Sequence, residues 1–359
     1  MGSSTEQSLF LGHPLNTLAQ SGTTQTDHAY YPTEKLVFGK GSDLTDAQAL
    51  QVRAKRKAIT NAIILQLIDV AKAKGHTARV QSYWNAYHCN SHVTTANGKL
   101  YTKYCKTRYC TLCLSIRKAT IINRYLSTIE QWEQPYFVTL TVKAVPYQLL
   151  PKWIEAMKVA FTRIRQRCNK RHQRGKGIKL VGIKSLECNF NPSKQTYNPH
   201  YHIITANKEM ATTLVVEWQK TWNAKTKLTS PFAQDMRAVY SNEGALVEII
   251  KYGAKLFTEP DQKTNPNTNV PRQVYAAALD NIFAAMQNIR LFDRFGFNLP
   301  PSPSAKAVEQ TFLQHSEDWQ YMSALNDWVN VCSGEVLTGY DLPPQLRYLL
   351  ASGMNTDLA

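Results

Sequence analysis

The sequence lacks the features that would place the protein in or across a membrane. No run of eighteen apolar residues occurs in its 359 residues, so we predict no segment that spans a bilayer. The N-terminus begins Met1-Gly2-Ser3-Ser4 and shows no basic segment followed by an apolar core, so we do not interpret it as a secretory signal. We therefore expect a cytoplasmic protein that has no membrane partner.

Acidic residues are scarce relative to basic ones. The chain has 26 Asp and Glu residues against 42 Lys and Arg residues, which gives a formal net charge of +16. A basic surplus of this size favours a polyanionic partner. In the absence of a membrane segment, nucleic acid is the partner that we expect.

Cysteine usage indicates a metal site rather than disulfides. The seven cysteines are odd in number, and four of them fall within 25 residues, namely Cys89, Cys105, Cys110 and Cys113. The last two are separated by two residues, a spacing that lets both thiolates reach one tetrahedral Zn²⁺. We predict a structural zinc with four cysteine ligands. His88 and His92 are alternative ligands, and buried free thiols are the interpretation without a metal.

Apolar periodicity predicts an α+β protein with an antiparallel sheet flanked by helices. The predicted strands cover 136–142, 178–190 and 199–206, and the predicted helices cover 44–74, 148–170, 209–224, 243–257, 272–289 and 304–331. The central order of strand, helix, strand, strand and helix suits this class better than a doubly wound parallel sheet.

The strand over 199–206 carries two histidines that face the same way. His200 and His202 are two residues apart, so their imidazoles lie on one side of the strand. Glu187, on the preceding strand, is expected opposite them if the two strands form a hairpin. Two imidazoles and a carboxylate would leave coordination positions open for Mg²⁺ or Mn²⁺ acting on a phosphodiester. A catalytic zinc with a water nucleophile is the competing metal site, and ordinary strand residues are the alternative without a metal.

The predicted helix over 243–257 carries a candidate nucleophile. Glu248 and Tyr252 are four residues apart and Lys255 follows three residues later, so the three side chains share one face. A lysine beside a metal-bound phosphate eases ionisation of a tyrosine, which can then attack phosphorus. Glu248 could activate water or a second hydroxyl group in a later step. The same spacing is also typical of a solvated helix face.

Basic and aromatic side chains are candidates for contacts with nucleic acid. The predicted phosphate-binding residues are Arg163, Arg165, Arg167, Lys170, Arg171 and Arg174. They also fit a solvated helix end. Trp84, Tyr104 and Tyr109 lie among the cations of the cysteine region and could stack on unpaired bases or belong to the core.

Three segments in this order resemble the replication initiator (Rep) proteins of rolling-circle plasmids, in the HUH endonuclease superfamily. Phe137-Val138-Thr139-Leu140-Thr141-Val142 is similar to the first motif of that family, and Asn198-Pro199-His200-Tyr201-His202 is similar to the second. Glu248-Ile249-Ile250-Lys251-Tyr252 is similar to the third, in the branch with a single tyrosine. The resemblance covers about residues 89–297.

The resemblance implies a metal-dependent enzyme that nicks and rejoins one strand at an origin hairpin. Tyr252 would be linked to the 5′ phosphate, His200, His202 and Glu187 would hold the ion, and Glu248 would assist the terminating cleavage. A host helicase and polymerase are implied partners in the bacterial cytoplasm, and a homodimer is compatible with the family. The corresponding division is an irregular segment 1–43, a basic amphipathic helix 44–80, a zinc-binding region 81–134, a nicking domain 135–300 with the HUH fold, and a C-terminal helical segment 301–359.

Two alternative functions fit the same residues. A single-strand DNA transposase or relaxase would use the same chemistry. A non-catalytic zinc-containing DNA-binding regulator would use the histidines and the tyrosine only as structural residues.

Overall fold

The protein is an α+β molecule with two five-stranded antiparallel sheets. The computed structural model describes residues 35–38, 41–191, 193–241, 244, 274–299, 310–313, 315–352 and 354–355. The helices in these residues are α1 (Ala47–Ala73), α2 (Thr77–Tyr87), α3 (Thr111–Ile129), α4 (Leu150–Gln173), α5 (Lys208–Trp222), α6 (Ala276–Ala285) and α7 (Pro344–Ser352). None of these helices combines the length and the apolar character needed to cross a membrane.

The strands of the described residues form two sheets and two short pairs. They are β1 (Lys35–Phe38), β2 (Ser42–Asp43), β3 (His92–Ala96), β4 (Lys99–Thr102), β5 (Tyr136–Thr141), β6 (Gly182–Asn191), β7 (Thr196–Thr205), β8 (Asp235–Ala238), β9 (Val274–Tyr275), β10 (Phe292–Phe295), β11 (Gln310–Leu313), β12 (Glu317–Met322), β13 (Asp327–Asn330) and β14 (Met354–Asn355). The short pairs are β1 with β11 and β9 with β14.

The central sheet has the strand order β10–β6–β7–β5–β8, and every neighbouring pair is antiparallel. The three strands predicted from the sequence are β5, β6 and β7, and the hairpin of β6 and β7 forms as expected. The predicted α+β class, with a central antiparallel sheet flanked by helices, is therefore confirmed. The histidine strand β7 is the middle strand of the sheet.

Helices α4 and α5 cover one face of the central sheet. The Phe161 ring of α4 lies 5.5 Å from the Tyr201 ring of β7, and the Trp218 ring of α5 lies 6.0 Å from it. Because side chains alternate along a strand, His200 and His202 face away from these helices. The opposite face is partly covered by the C-terminal half of α3, whose apolar residues cluster with Phe137, Ile183 and Ile204.

A buried carboxylate attaches the N-terminal helices to α6. Asp280 is inaccessible to solvent and forms ion pairs with Lys74 at 3.1 Å and Arg79 at 3.2 Å. The Tyr83 hydroxyl donates a 2.8 Å hydrogen bond to the same carboxylate. A buried charge needs paired groups of this kind, so the site fixes α1 and α2 against the rest of the chain.

The predicted C-terminal helix over 304–331 is wrong. Strands β11, β12 and β13 occupy that range, and the second sheet has the order β13–β12–β3–β4–β2. Trp319 and Tyr321 are buried and alternate with more exposed neighbours, which is the period of a strand. Trp319 pairs with Val93, more than two hundred residues earlier in the chain. Of the C-terminal segment 301–359, only α7 is a described helix.

Candidate metal centres

The first candidate site lies on the middle strands of the central sheet. Glu187 of β6 pairs directly with His200 of β7, and His202 is two residues further along the same face. One carboxylate oxygen, Oε2 of Glu187, is 3.2 Å from Nε2 of His202 and 3.6 Å from Nε2 of His200. The hairpin therefore brings together the three residues that the sequence pattern had singled out.

Hydrogen bonds at the Nδ1 atoms orient both imidazoles. Nδ1 of His200 lies 2.9 Å from the carbonyl oxygen of Asn198, and since a carbonyl only accepts, this nitrogen carries the proton. Nδ1 of His202 lies 3.1 Å from the Thr139 hydroxyl. In the neutral His200 ring the lone pair is consequently on Nε2, which faces Glu187. This arrangement of the outer hydrogen bond is typical of metal-ligating histidines.

The carboxylate of Glu187 is buried without a full set of partners. Glu187 is 1% exposed, and its Oε2 atom has no hydrogen-bond partner of normal geometry in the described structure. Burial alone would raise the pKa of Glu187, but hydrogen bonds and charge from His200 and His202, when both of their ring nitrogens are protonated, outweigh it and hold that pKa below its usual value. Anionic oxygen and nitrogen lone pairs that converge in a buried site fit a divalent cation.

The second candidate site is formed by the four clustered cysteines. Their sulfur atoms all lie within 4.8 Å of one another. The Sγ atom of Cys113 is 3.7 Å from that of Cys89 and 3.6 Å from that of Cys105. Four sulfurs about 2.3 Å from a tetrahedral zinc would be about 3.8 Å apart, so the spacing fits this ion. A disulfide needs about 2.05 Å, and none is formed.

The alternative ligands His88 and His92 do not belong to this group. The ring of His88 stacks on Trp84 at 5.7 Å, and His92 is an exposed residue at the start of β3. Backbone N–H groups instead support the sulfurs. The amide of Cys105 donates to Sγ of Cys89 and that of Lys106 donates to Sγ of Cys113, both at 3.3 Å. Donors of this kind stabilise thiolates.

A buried lysine beside the cysteines was not predicted from the sequence. Nζ of Lys57 donates to the carbonyl of Cys89 at 2.7 Å and to the Ser91 hydroxyl at 3.2 Å. Burial lowers the pKa of Lys57 to about 8, although the nearby cysteines partly oppose that shift. The signal in the sequence is its position three residues after Ala54 and seven before Ile64, on the apolar face of α1. A cation there would offset part of the negative charge of the thiolates that hold a zinc ion.

The predicted DNA-binding residues lie on α4 and at its C-terminal end, across the sheet from the histidines. Arg167 and Arg171 both form 2.9 Å ion pairs with Glu217 of α5. The guanidinium of Arg165 stacks over the Phe295 ring at 5.6 Å. Arg163, Lys170 and Arg174 are exposed. At least three of the six side chains thus have structural contacts, and none shares the face of the Glu187–His200–His202 site.

The three aromatic residues of the cysteine region pack against the large core cluster. Tyr109 lies 4.9 Å from Tyr83 and 5.1 Å from Phe283, ring centroid to ring centroid. Trp84 packs on Tyr87 as well as on His88, and the Tyr104 hydroxyl accepts a hydrogen bond from Arg53. These contacts favour the core interpretation over base stacking. Glu248, Tyr252 and Lys255 lie outside the described residues.

Comparison with known proteins identifies a family. A family model described as Replication protein matches residues 98–292. A Protein rep of Streptococcus pneumoniae serotype 2 is 27% identical over 181 residues, which is 44% of this chain and 53% of the relative. A Protein rep of Bacillus amyloliquefaciens is 26% identical over 189 residues, with 45% and 54% covered. One of Staphylococcus aureus is 29% identical over 177 residues, with 45% and 74% covered.

The matches cover only part of this chain and part of each relative. The chain spans about half the length of the first two relatives, and no solved structure matches it significantly. The family match includes Glu187, His200 and His202, but it begins after Cys89. It covers more than half of the 359 residues. The chain therefore belongs to the Replication protein family, which confirms its resemblance to the replication initiators of rolling-circle plasmids.

Proposed function

We propose that this protein is a metal-dependent HUH endonuclease and strand transferase that initiates rolling-circle replication of a plasmid. The observation that carries the proposal is the convergence of Glu187, His200 and His202 in a buried, rigid site on the middle of an antiparallel sheet. Such a site has the ligand types that phosphodiester chemistry requires, and three ligands would leave positions on a divalent ion for the phosphate. The family match supports replication as the process that this chemistry would serve.

In the proposed mechanism the strand is cleaved by covalent transfer to the protein. A divalent ion such as Mg²⁺ or Mn²⁺, held by Glu187, His200 and His202, would supply a Lewis acid at the scissile phosphate. The phenol oxygen of Tyr252 forms a bond to phosphorus while the bond from phosphorus to the 3′ oxygen breaks. The phenol loses its proton, and the departing 3′ oxygen gains one. Ionising a tyrosine at pH 7 costs about 4 kcal/mol, and Lys255 would reduce that cost.

The phosphotyrosine ester keeps the energy of the original linkage, so the strand can be rejoined. Glu248 is the proposed base for the water or hydroxyl group that attacks the ester at termination. The free 3′ hydroxyl would prime a host polymerase, with a host helicase opening the duplex in the bacterial cytoplasm. The DNA substrate is then an origin hairpin that exposes an unpaired nick site, and a homodimer remains compatible with this scheme.

The four cysteines are proposed to hold one structural Zn²⁺. Cys89 and Cys105 flank the β3–β4 hairpin, while Cys110 and Cys113 stand at the N-terminus of α3. One ion would therefore join the hairpin to the helix that covers the histidine face. This role is separate from the nicking chemistry.

A covalent-adduct assay tests the proposed function. The full chain is incubated with Mn²⁺ and a labelled single-stranded oligonucleotide from the origin of its own plasmid, and the adduct is resolved under denaturing conditions. Tyr252→Phe should abolish the adduct and His202→Ala should reduce it strongly. Tyr348→Phe is the matched control, because Tyr348 is an exposed residue of α7, and it should behave as the wild type.

The outcomes separate the competing functions. Adduct formation by Tyr252→Phe would show that another residue is the nucleophile. Equal adduct formation on unrelated hairpins would favour a transposase or relaxase with other targets. Binding without an adduct under any metal condition would favour a non-catalytic regulator.

A further inference from the structure

Two aromatic side chains at the edge of the central sheet are almost completely exposed. Phe232 is 99% exposed and Tyr240 is 98% exposed. They flank β8, which is the edge strand of the central sheet in the described structure. We refer to residues 232–240 as the β8 edge. Exposure of this degree means that neither ring contributes to the core, so folding does not explain their aromatic character.

The backbone beneath Phe232 is held in place. The amide side chain of Gln234 accepts from the Thr141 backbone N–H at 2.9 Å and donates to the Thr229 hydroxyl at 2.7 Å. The Thr141 hydroxyl donates to the Ala233 carbonyl at 2.9 Å. Pro231 further restricts the turn. The backbone that carries Phe232 is consequently held in one conformation, which reduces the conformational entropy lost when a flat group stacks on the ring.

Strand pairing places this edge beside the Glu187–His200–His202 site. Asp235 of β8 pairs with Thr139 of β5, which pairs with His202 of β7. Thr141, which anchors the Phe232 turn, pairs with His200. Two strand spacings separate β8 from β7, which is about 10 Å. This is close to the reach of one or two nucleotides.

An arginine extends the edge onto the histidine face. The guanidinium of Arg237 lies 4.8 Å from the Phe137 ring centroid, and that centroid is 5.4 Å from the His202 ring. Arg237 and Phe137 are paired in register, so both project from the face that carries His202. Arg237 therefore lies on the same face of the sheet as the candidate metal site, two strands away from it.

The charge around Phe232 suits a strand of nucleic acid. Lys225 and Lys227 are exposed in the preceding loop, and the segment 223–234 contains no acidic residue. Asp235, which follows this segment, lies 3.9 Å from the Arg237 guanidinium, so its charge is partly offset. Lys143 is also exposed, and its backbone N–H donates to the carbonyl of Leu228 in that loop. Cations that contact phosphates beside exposed aromatic rings are typical of surfaces that bind single strands. A duplex would not offer free base faces to the rings.

We propose that the β8 edge binds unpaired DNA next to the nicking site, with Phe232 and Tyr240 stacking on bases and Lys225 and Lys227 contacting phosphates. The proposal rests on the proposed function only for the identity of the strand that is bound.

Oligonucleotide binding by the full chain tests this proposal. The probe is a labelled oligothymidylate of about 20 nucleotides, followed by fluorescence anisotropy without added metal. Since one base stack is worth roughly 5- to 150-fold in affinity, Phe232→Ala and Tyr240→Ala should each weaken binding by at least about 5-fold. Phe232→Tyr should restore it, and Tyr348→Ala on α7 is the control that should bind as the wild type.

A second measurement reports stacking directly. Phe232→Trp should bind the probe, and its added fluorescence should be quenched on binding, beyond the change seen in the wild type. Unchanged affinity in Phe232→Ala together with no added quenching in Phe232→Trp would overturn the proposal. If that result accompanies a normal Tyr252 adduct, only the β8 edge is wrong. If the affinity losses occur and no adduct forms on any substrate, the nicking function is wrong and the edge stands.

Discussion

The Glu187→Gln substitution is expected to separate metal binding from folding. Glutamine has the shape of glutamate, and its amide group can donate a hydrogen bond to an imidazole Nε2 atom that now lies 3.2 or 3.6 Å from Oε2. The buried side chain therefore keeps its packing, and the metal-free fold should survive. What is lost is the negative charge, which is the part of the site that a divalent ion binds most strongly.

The expected size of the effect follows from linkage. An ion at 100 times its dissociation constant stabilises the folded state by about 2.7 kcal/mol. If loss of the carboxylate weakens binding about 100-fold, the same ion concentration adds only about 0.4 kcal/mol. The rise in melting temperature on adding Mn²⁺ should therefore fall to a small fraction of the wild-type value.

The assay is thermal unfolding of the full chain with and without Mn²⁺. Glu217→Gln is the matched control, because Glu217 is also buried but lies on the helix side of the sheet, where it pairs with Arg167 and Arg171. That variant should unfold at a lower temperature and keep the full Mn²⁺ shift. A full Mn²⁺ shift in Glu187→Gln would refute the assignment of Glu187 as a ligand.

Two further predictions concern other buried groups. Cys110→Ser should reduce bound zinc from about one per chain to almost none and increase protease cleavage within 85–118. Cys168→Ser, which changes a buried thiol outside the cluster, should retain the ion. A wild-type protein without zinc, together with unchanged cleavage in Cys110→Ser, would contradict this prediction. Burial lowers the pKa of Lys184 to about 8 in the folded protein. Between about pH 8 and 10, Lys184 therefore binds more protons in the unfolded chain than in the folded one, and it makes the free energy of unfolding rise with pH. Lys184→Met should lack that rise in pH-dependent denaturant unfolding, and an identical slope in both proteins would show that Lys184 is not the cause.

The local patterns were sufficient for the central part of the fold. Strands β5 and β7 are rich in β-branched and aromatic residues, and α4 and α5 have apolar residues at helical spacing, so each preference agrees with the final structure. The C-terminal strands were missed because β12 is stabilised by pairing with β3 and β11 by pairing with β1. Both partners are more than two hundred residues away in the chain.

The basic residues of α4 show a similar limit. Sequence reveals that Arg167 and Arg171 are cations but not that Glu217, on another helix, lies within 2.9 Å of both. The function of a surface arginine depends on what it faces. Phe232 was overlooked for the same reason, since a single phenylalanine in a loop usually packs inward, and only the structure shows its ring in solvent.

The sequence by itself determined which residues could hold an ion, because ligand chemistry belongs to the side chain. It also placed His200 and His202 on one face, because side chains of a strand alternate with a period of two. It also determined the family through three ordered motifs. Tertiary structure alone decided the register that sets Glu187 opposite His200, the grouping of four cysteines from three separate segments, and the side of the sheet on which each cation lies. These relations join residues that are distant along the chain, and local propensity carries no information about distances across space.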